Sequence, residues 1–188
     1  MPVSLYGRRE AGRDMVHTSD SVCEIKLGEA IRALIIVLSS KDGSLRQTAR
    51  RSLTSIGRPS VPALIDILST GNSNQQWEAA KALSEIADPR SASALVKALE
   101  NEIFGVRWLA AEGLIAMGMA GLKPLLEELA EHPDSTWLRE GAHHVLRGLF
   151  DQGNYDLAGP VLAALQHAQP SSDLIFAIHC TLGRIEKQ

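Results

Sequence analysis

The sequence contains few of the residues that build disulfide scaffolds or aromatic cores. Its 188 residues include only two cysteines, Cys23 and Cys180, and aromatic residues make up 4% of the chain. Two cysteines so far apart form no disulfide scaffold, and such sparse use is typical of a reducing compartment. We therefore expect no structural disulfide and a core made of Ala, Leu and Ile.

Long apolar runs are also missing. The longest one, residues 33–38, is far shorter than the roughly 20 residues of a membrane-spanning helix. Residues 1–20 lack the apolar segment of a secretion signal. We expect a cytoplasmic protein that does not contact membranes.

The motifs that mark common catalytic sites do not occur. There is no G-x-G-x-x-G, G-x-x-x-x-G-K-[ST], H-E-x-x-H or G-x-S-x-G, and these motifs begin nucleotide, zinc-peptidase and esterase sites. We expect a protein without catalytic residues, without a cofactor and without a metal.

The charge of the chain is unevenly distributed. The formal net charge is -3, but residues 1–60 hold ten Lys and Arg against six Asp and Glu, whereas the remainder holds nine against sixteen. Electrostatic attraction of an acidic partner is therefore conceivable only at the N-terminal end.

One short apolar pattern occurs five times in the chain. Each copy has a small or apolar residue, a leucine four places later and an apolar residue three places after that. The copies are Ala49/Leu53/Ile56, Ala79/Leu83/Ile86, Ala110/Leu114/Met117, Ala142/Leu146/Leu149 and Ile178/Leu182/Ile185. Their first positions advance by 30, 31, 32 and 36 residues, which is the length of a helical hairpin in a repeat array.

A second helical stripe precedes each copy, for example Leu64, Ile67 and Leu68. Each repeat is thus an outer helix A followed by an inner helix B. The pattern predicts an all-α, right-handed α-solenoid (superhelix) of about five antiparallel hairpins, with repeats at about 27–57, 58–88, 89–118, 119–150 and 151–188. Prolines predict the starts of three A helices, and glycines predict the ends of two B helices. These residues are Pro62, Pro124, Pro160, Gly57 and Gly118.

The N-terminal repeat needs a cover. Residues 30–38 are apolar on nearly every side of a helix, and such a helix packs on more than one face. We expect residues 1–26 to be a tail, loose over 1–14, in which residues 22–27 or the Met15-Val16 region fold back as a cap. A homodimer contact through the N-terminal helix is the alternative.

The inner helices resemble a known family. Residues 106–118 read V-R-W-L-A-A-E-G-L-I-A-M-G, which is similar to the V-R-x-x-A-A-x-A-L-x-x-I-G form of phycobilisome-lyase-like HEAT repeats. Residues 46–57 resemble the same motif, and residues 76–88 keep it with Gln76 in place of the arginine. The resemblance covers residues 28 to about 150 well and the remainder loosely.

Two small clusters of reactive residues remain to be weighed. Glu140, His143 and His144 have the Glu-x-x-His spacing of carboxylate-bridged metal sites, but such sites need further Glu residues from a second helix, so we interpret them as surface residues. His-Glu steps, which mark the di-iron hydroxylases that some HEAT-like proteins resemble, are absent. Cys180 and His144 occupy equivalent repeat positions, which predicts neighbours on adjacent inner helices. We interpret Cys180 as a small buried residue.

The repeat register predicts an exposed, concave face. Residues two places before the core alanine lie about 200° around the helix from it, and they point away from the packed layer. These residues are Gln47, Trp77, Trp108, Glu140 and Phe176, followed one turn later by Arg51, Lys81, Glu112, His144 and Cys180. Exposed tryptophans are typical of binding surfaces, and the alternative is that Trp77 and Trp108 lie flat across the seams between repeats. We expect Trp137 to cap its hairpin.

We therefore predict a non-catalytic interaction module or scaffold that binds another protein on this face. The resemblance implies one alternative, a bilin lyase or isomerase-like subunit that acts on a chromophore protein. The arginines near position 50 suggest a DNA-binding HEAT-like protein, but Glu112 and Glu140 would repel phosphate along the same face. We disfavour a nucleic-acid partner for that reason.

Overall fold

The computed structural model describes residues 11–166 and 172–187, with side chains from residue 22 onward. These residues form ten α-helices, two short 3-10 turns at 58–60 and 89–91, and no strand. The helices are α1 (Ala11–Val37), α2 (Gly43–Ile56), α3 (Val61–Thr70), α4 (Ser73–Ile86), α5 (Ala92–Ala98), α6 (Phe104–Met117), α7 (Met119–Glu131), α8 (Thr136–Asp151), α9 (Tyr155–Leu165) and α10 (Ser172–Ile185). The predicted all-α class is confirmed.

The first eight helices stack as two layers. The A layer consists of α1, α3, α5 and α7, and the B layer consists of α2, α4, α6 and α8, with each helix packed on the next one of its layer and on its hairpin partner. The core between the layers contains the repeated alanines and leucines, among them Ala79, Leu83, Ala110 and Leu114, all of which are fully buried. The chain is therefore an α-solenoid of helical hairpins, as predicted.

Polar side chains in the turns between A and B helices cap the N-termini of the B helices. Asp42 accepts a hydrogen bond from the Ser44 backbone N–H, and Ser135 accepts one from that of Leu138. Asn72 and Gln75 form a reciprocal capping box at the start of α4. Asp42, Asn72 and Ser135 are thus the N-caps of α2, α4 and α8.

The arginine of the repeat motif has a structural role. Arg46 donates from Nη1 to the carbonyl of Ser40, and Arg107 donates from Nη1 to that of Asn101. Both carbonyls belong to the turn before the arginine's own helix. In the first and third repeats the motif arginine therefore ties the turn after the A helix to the following B helix.

Two glycines end B helices, as predicted. Gly57 and Gly118 follow α2 and α6 with φ of 72° and 61°, a conformation that side chains disfavour. Ala87 takes the corresponding place after α4 with φ of 49°. The chain then turns at once into the next A helix.

The prediction that prolines start A helices is right for Pro62 and wrong for Pro124 and Pro160. Pro62 lies in the first turn of α3, whereas the other two lie inside α7 and α9. A helix-interior proline leaves the carbonyl four residues earlier without its usual donor. For Pro160 that carbonyl belongs to Asp156, and Arg184 Nη1 donates to it over 3.0 Å.

The fifth hairpin exchanges its layers, which corrects the assignment of its helices. Helix α9, predicted as an outer helix, packs on α8 of the B layer, and α10 packs on α9 and on α7 of the A layer. Lys123 of α7 forms an ion pair with Glu186 just after α10. The last hairpin therefore closes the array with an antiparallel helix on each layer.

Residues 11–27 do not fold back on the first repeat. Helix α1 runs without interruption from Ala11 to Val37, so residues 22–27 extend the first A helix and the predicted cap from these residues is wrong. The side chains of Met15 and Val16, and residues 1–10 of the predicted tail, lie outside the described part. No helix among the described residues has the length and apolar character needed to cross a membrane.

Ion pairs join neighbouring repeats along the array. Arg50 Nε donates to Glu78 Oε2 at 3.0 Å, and its Nη1 donates to both carboxylate oxygens of Glu85. One repeat later, the buried carboxylate of Asp88 accepts from Arg90 and from Arg58. These hydrogen bonds, chiefly from the Arg90 side chain, hold the pKa of Asp88 far below its ordinary value.

Candidate protein-interaction face

The outward surface of α2, α4, α6 and α8, which we call the B-layer face, carries the residues predicted for it. Six of them are exposed and two are half-buried. The exposed residues are Gln47, Arg51, Trp77, Trp108, Glu112 and Glu140, and the half-buried ones are Lys81 and His144. The repeat register thus separated core from surface correctly through four repeats, and partner binding by these residues stays a prediction.

Phe176 and Cys180 do not continue this face. Both are exposed on α10, which packs on α9 and on α7 of the A layer. The prediction that Cys180 neighbours His144 on an adjacent inner helix is wrong, because His144 lies on α8 in the other layer. The interpretation of Cys180 as a buried residue is also wrong, since it is a free and exposed thiol.

Both predicted tryptophans lie across seams between repeats and remain half open to solvent. Trp77 of α4 packs over Gly105 of α6, where an added Cβ would lie 3.0 Å from the indole. The Trp108 ring lies 4.6 Å from the His144 ring of α8. The exposed fractions of the two residues are 39% and 48%. Each tryptophan is therefore both exposed and packed across a seam, since one side of its indole packs on the next repeat and the other faces outward.

Phe104 and Trp137 extend the aromatic surface, and neither was predicted to belong to it. Phe104, at the first position of α6, is 67% exposed with its ring 6.5 Å from that of Trp108. Trp137 is 42% exposed, and the Arg107 guanidinium carbon lies 4.6 Å from its ring centroid and 5.6 Å from that of Phe104. The i, i+4 spacing of Phe104 and Trp108 was the available signal. Trp137 thus contributes to this surface from the first turn of α8, and its role as a hairpin cap stays a prediction.

We call Trp77, Phe104, Trp108 and Trp137 the aromatic patch. Its rings come from three successive B helices and are held by contacts within the fold. Two polar contacts support it. Arg107 contacts two rings while it donates to backbone carbonyls, and His144 Nε2 lies 3.0 Å from Glu112 Oε1. The patch is therefore preorganised on helices rather than on loops.

The histidines and acidic residues on the same helices lie apart from one another or pair within the surface. Among the described residues, no group of three or more His, Cys, Asp or Glu side chains is placed to hold a metal ion. His143 is exposed, and His144 pairs with Glu112 rather than with Glu140. This agrees with our interpretation of Glu140, His143 and His144 as surface residues.

The basic cluster near position 50 is largely used within the fold. Arg50 pairs with Glu78, Arg58 pairs with Asp88, and Arg46 donates to turn carbonyls. A phosphate backbone needs a continuous row of available cations. Because three of the four arginines of this cluster have partners within the fold and Arg51 is the exposed one, the structure offers little support for nucleic-acid binding here.

Comparison with known proteins identifies the repeats. Residues 31–104 match the family model described as HEAT repeats. The chain is also 30% identical over 107 residues to the Bilin biosynthesis protein RpcF of Synechococcus sp. (strain WH8020), which covers 56% of this chain and 51% of that protein. The chain thus spans about half the length of this curated relative. These matches support the predicted resemblance to HEAT repeats of the phycobilisome-lyase-like type.

Solved structures resemble the chain more distantly. The crystal structures of two engineered proteins each show 21% sequence identity and a TM-score of 0.40. The first alignment covers 84% of this chain and 79% of the engineered protein, and the second covers 82% and 80%.

Proposed function

We propose that this chain is a non-catalytic interaction module that binds another protein through the aromatic patch. The observation that carries the proposal is the exposure of four large aromatic side chains on one face of a protein with few aromatic residues. Contiguous exposed apolar surface marks interaction sites, and tryptophan is enriched among the residues that dominate binding energy.

The surroundings of the patch support a specific partner. Along the B-layer face, Arg51 lies on the helix before the patch, and Lys81, Glu112 and Glu140 lie on the three helices that carry its rings. A charged rim around an apolar centre excludes water and selects partners of complementary charge. A cytoplasmic encounter is consistent with the two free thiols, Cys23 and Cys180.

Affinity capture from the native cell, read by quantitative mass spectrometry, tests the proposal. The chain and a Trp77→Ala/Trp108→Ala variant are compared as baits, with Phe176→Ala as the matched control because Phe176 is an exposed aromatic residue outside the patch. We expect the tryptophan variant to lose a protein that the control retains. Equal capture by all three baits would contradict the proposal.

A second candidate rests on the curated relative, whose name refers to bilin biosynthesis. The rings of an extended conjugated tetrapyrrole would stack on Trp108 and Trp137, and its carboxylates would pair with an arginine such as Arg107. This candidate predicts visible absorbance that copurifies with the chain or appears when a bilin is added. A chain that stays colourless and leaves the bilin spectrum unchanged would favour the interaction module.

A further inference from the structure

Helix α1 is apolar on two opposite faces, and only one of them packs on the array. The packed face holds Leu27, Ile31, Leu34 and Leu38, all buried or half-buried against the core. At about 100° per residue, a second stripe lies on the other side of the helix. It contains Val22, Ile25 and Ile36, and it is open to solvent.

The exposed stripe carries charge at its centre. Glu29 and Arg32 lie between Ile25 and Ile36 on the same side of α1, and both are exposed. Ile25 and Ile36 are 58% and 71% exposed. Within the part of the chain that the structure describes, neither Glu29 nor Arg32 takes part in an ion pair, so both charges are available for an external partner.

The order of residues along the stripe allows two copies of α1 to pair with each other in antiparallel orientation. If two α1 helices cross with a twofold axis between positions 30 and 31, Ile25 of each copy faces Ile36 of the other. Glu29 then faces Arg32 in both directions. The outer pairs are apolar and the central pairs have opposite charge.

We propose that the exposed stripe of α1 binds a second copy of this chain, antiparallel about a twofold axis near position 30. The contact buries the isoleucines that the fold leaves in water and pairs Glu29 with Arg32 twice. The stripe lies on the first A helix, whereas the aromatic patch lies on B helices further along the array. A dimer therefore presents two patches and would bind a bivalent partner with increased avidity.

Charge reversal tests both the partner and the orientation of the helices. Glu29→Lys alone would place a lysine opposite Arg32 of the other copy, and Arg32→Glu alone would place a new glutamate opposite Glu29. In an equal mixture of the two variants, each altered charge faces an opposite charge. We expect sedimentation equilibrium to show a dimer for the unchanged chain, about tenfold weaker association for either variant alone, and recovery of the dimer in the mixture.

Ile36→Lys gives an independent arm, because it should weaken the dimer and should not be rescued by either charge variant. Circular dichroism of each variant verifies folding. If the unchanged chain stays monomeric over a wide concentration range, the proposal is overturned. The stripe would then be covered by something other than a second copy, such as residues 1–21 or another protein. A dimer that survives every variant, or a mixture that fails to recover, would overturn it as well. None of these outcomes depends on whether the aromatic patch binds a partner.

Discussion

The adjacent arginines Arg50 and Arg51 should differ sharply in their contribution to stability. The Arg50 side chain is 9% exposed and donates to Glu78, whose side chain is 7% exposed, and to Glu85. Arg51 is exposed on the B-layer face. Arg50→Met keeps the apolar stem of the side chain and removes only the charge and the donors. Glu78 then stays buried with Arg46 Nε as its nearest cation, at 3.5 Å.

The expected loss follows from the burial of the carboxylate. Removing one partner of a buried ion pair destabilises a protein by about 3 to 5 kcal/mol because the other charge is left uncompensated. The Glu85 side chain is one-third exposed, so water solvates it after the substitution. Its contribution to the loss of stability is therefore small. Arg46 remains as a partial partner of Glu78, so we expect a loss at the low end of that range, about 3 kcal/mol for Arg50→Met, and no more than about 0.5 kcal/mol for the matched control Arg51→Met.

Urea and thermal denaturation followed by circular dichroism measure this difference. For a chain of this length, about 3 kcal/mol lowers the melting temperature by about 6 to 12 °C. Equal effects of the two substitutions, or a loss below about 1 kcal/mol for Arg50→Met, would refute the conclusion that Arg50 joins the first two repeats through a buried ion pair.

Two further predictions concern the seams and the last helix. Because the pKa of Asp88 is lowered in the folded state, its ion pairs should stabilise the fold at pH values above about 4, the ordinary aspartate pKa, and this stabilisation should be lost as the pH falls further. The urea midpoint of Asp88→Asn should accordingly fall less in acid than that of the unchanged chain. Parallel dependence of the two midpoints on pH would contradict this. Gly113→Ala should destabilise by about 1 to 3 kcal/mol, since the new Cβ would lie 2.8 Å from Leu95 Cδ1 and 3.1 Å from the Ser84 backbone. Gly183→Ala, which meets nothing within 4 Å, should instead stabilise α10 by about 0.5 to 1 kcal/mol, and the two melting temperatures should therefore move in opposite directions.

Much of the fold could be predicted from the sequence because its signals are local. The apolar spacing around Ala79 and Ala110 depends only on helix geometry, so it identified the B helices and their outward faces. The caps at Asp42 and Asn72 and the helix ends at Gly57 depend on neighbouring backbone groups alone.

The incorrect predictions concern features that depend on contacts between helices far apart in sequence. The stripe of α10 shows that one of its faces is buried, but it does not show that α7 rather than α8 supplies the neighbour, so Phe176 was assigned to the wrong layer. Pro160 is accommodated inside α9 because Arg184, far away in sequence, donates to the carbonyl that the proline leaves free. The contact of Arg107 with Trp137 likewise joins two repeats and has no signal within either one.

Tryptophan fluorescence tests the central claim most directly. All three tryptophans of the chain, Trp77, Trp108 and Trp137, belong to the aromatic patch, so intrinsic emission reports on the proposed site without a label. Acrylamide quenching is measured on the free chain and on its complex with the captured partner, from which tryptophan has been removed. We predict strong quenching of the free chain and marked protection in the complex. Equal quenching of the free and bound chain would show that the partner binds elsewhere.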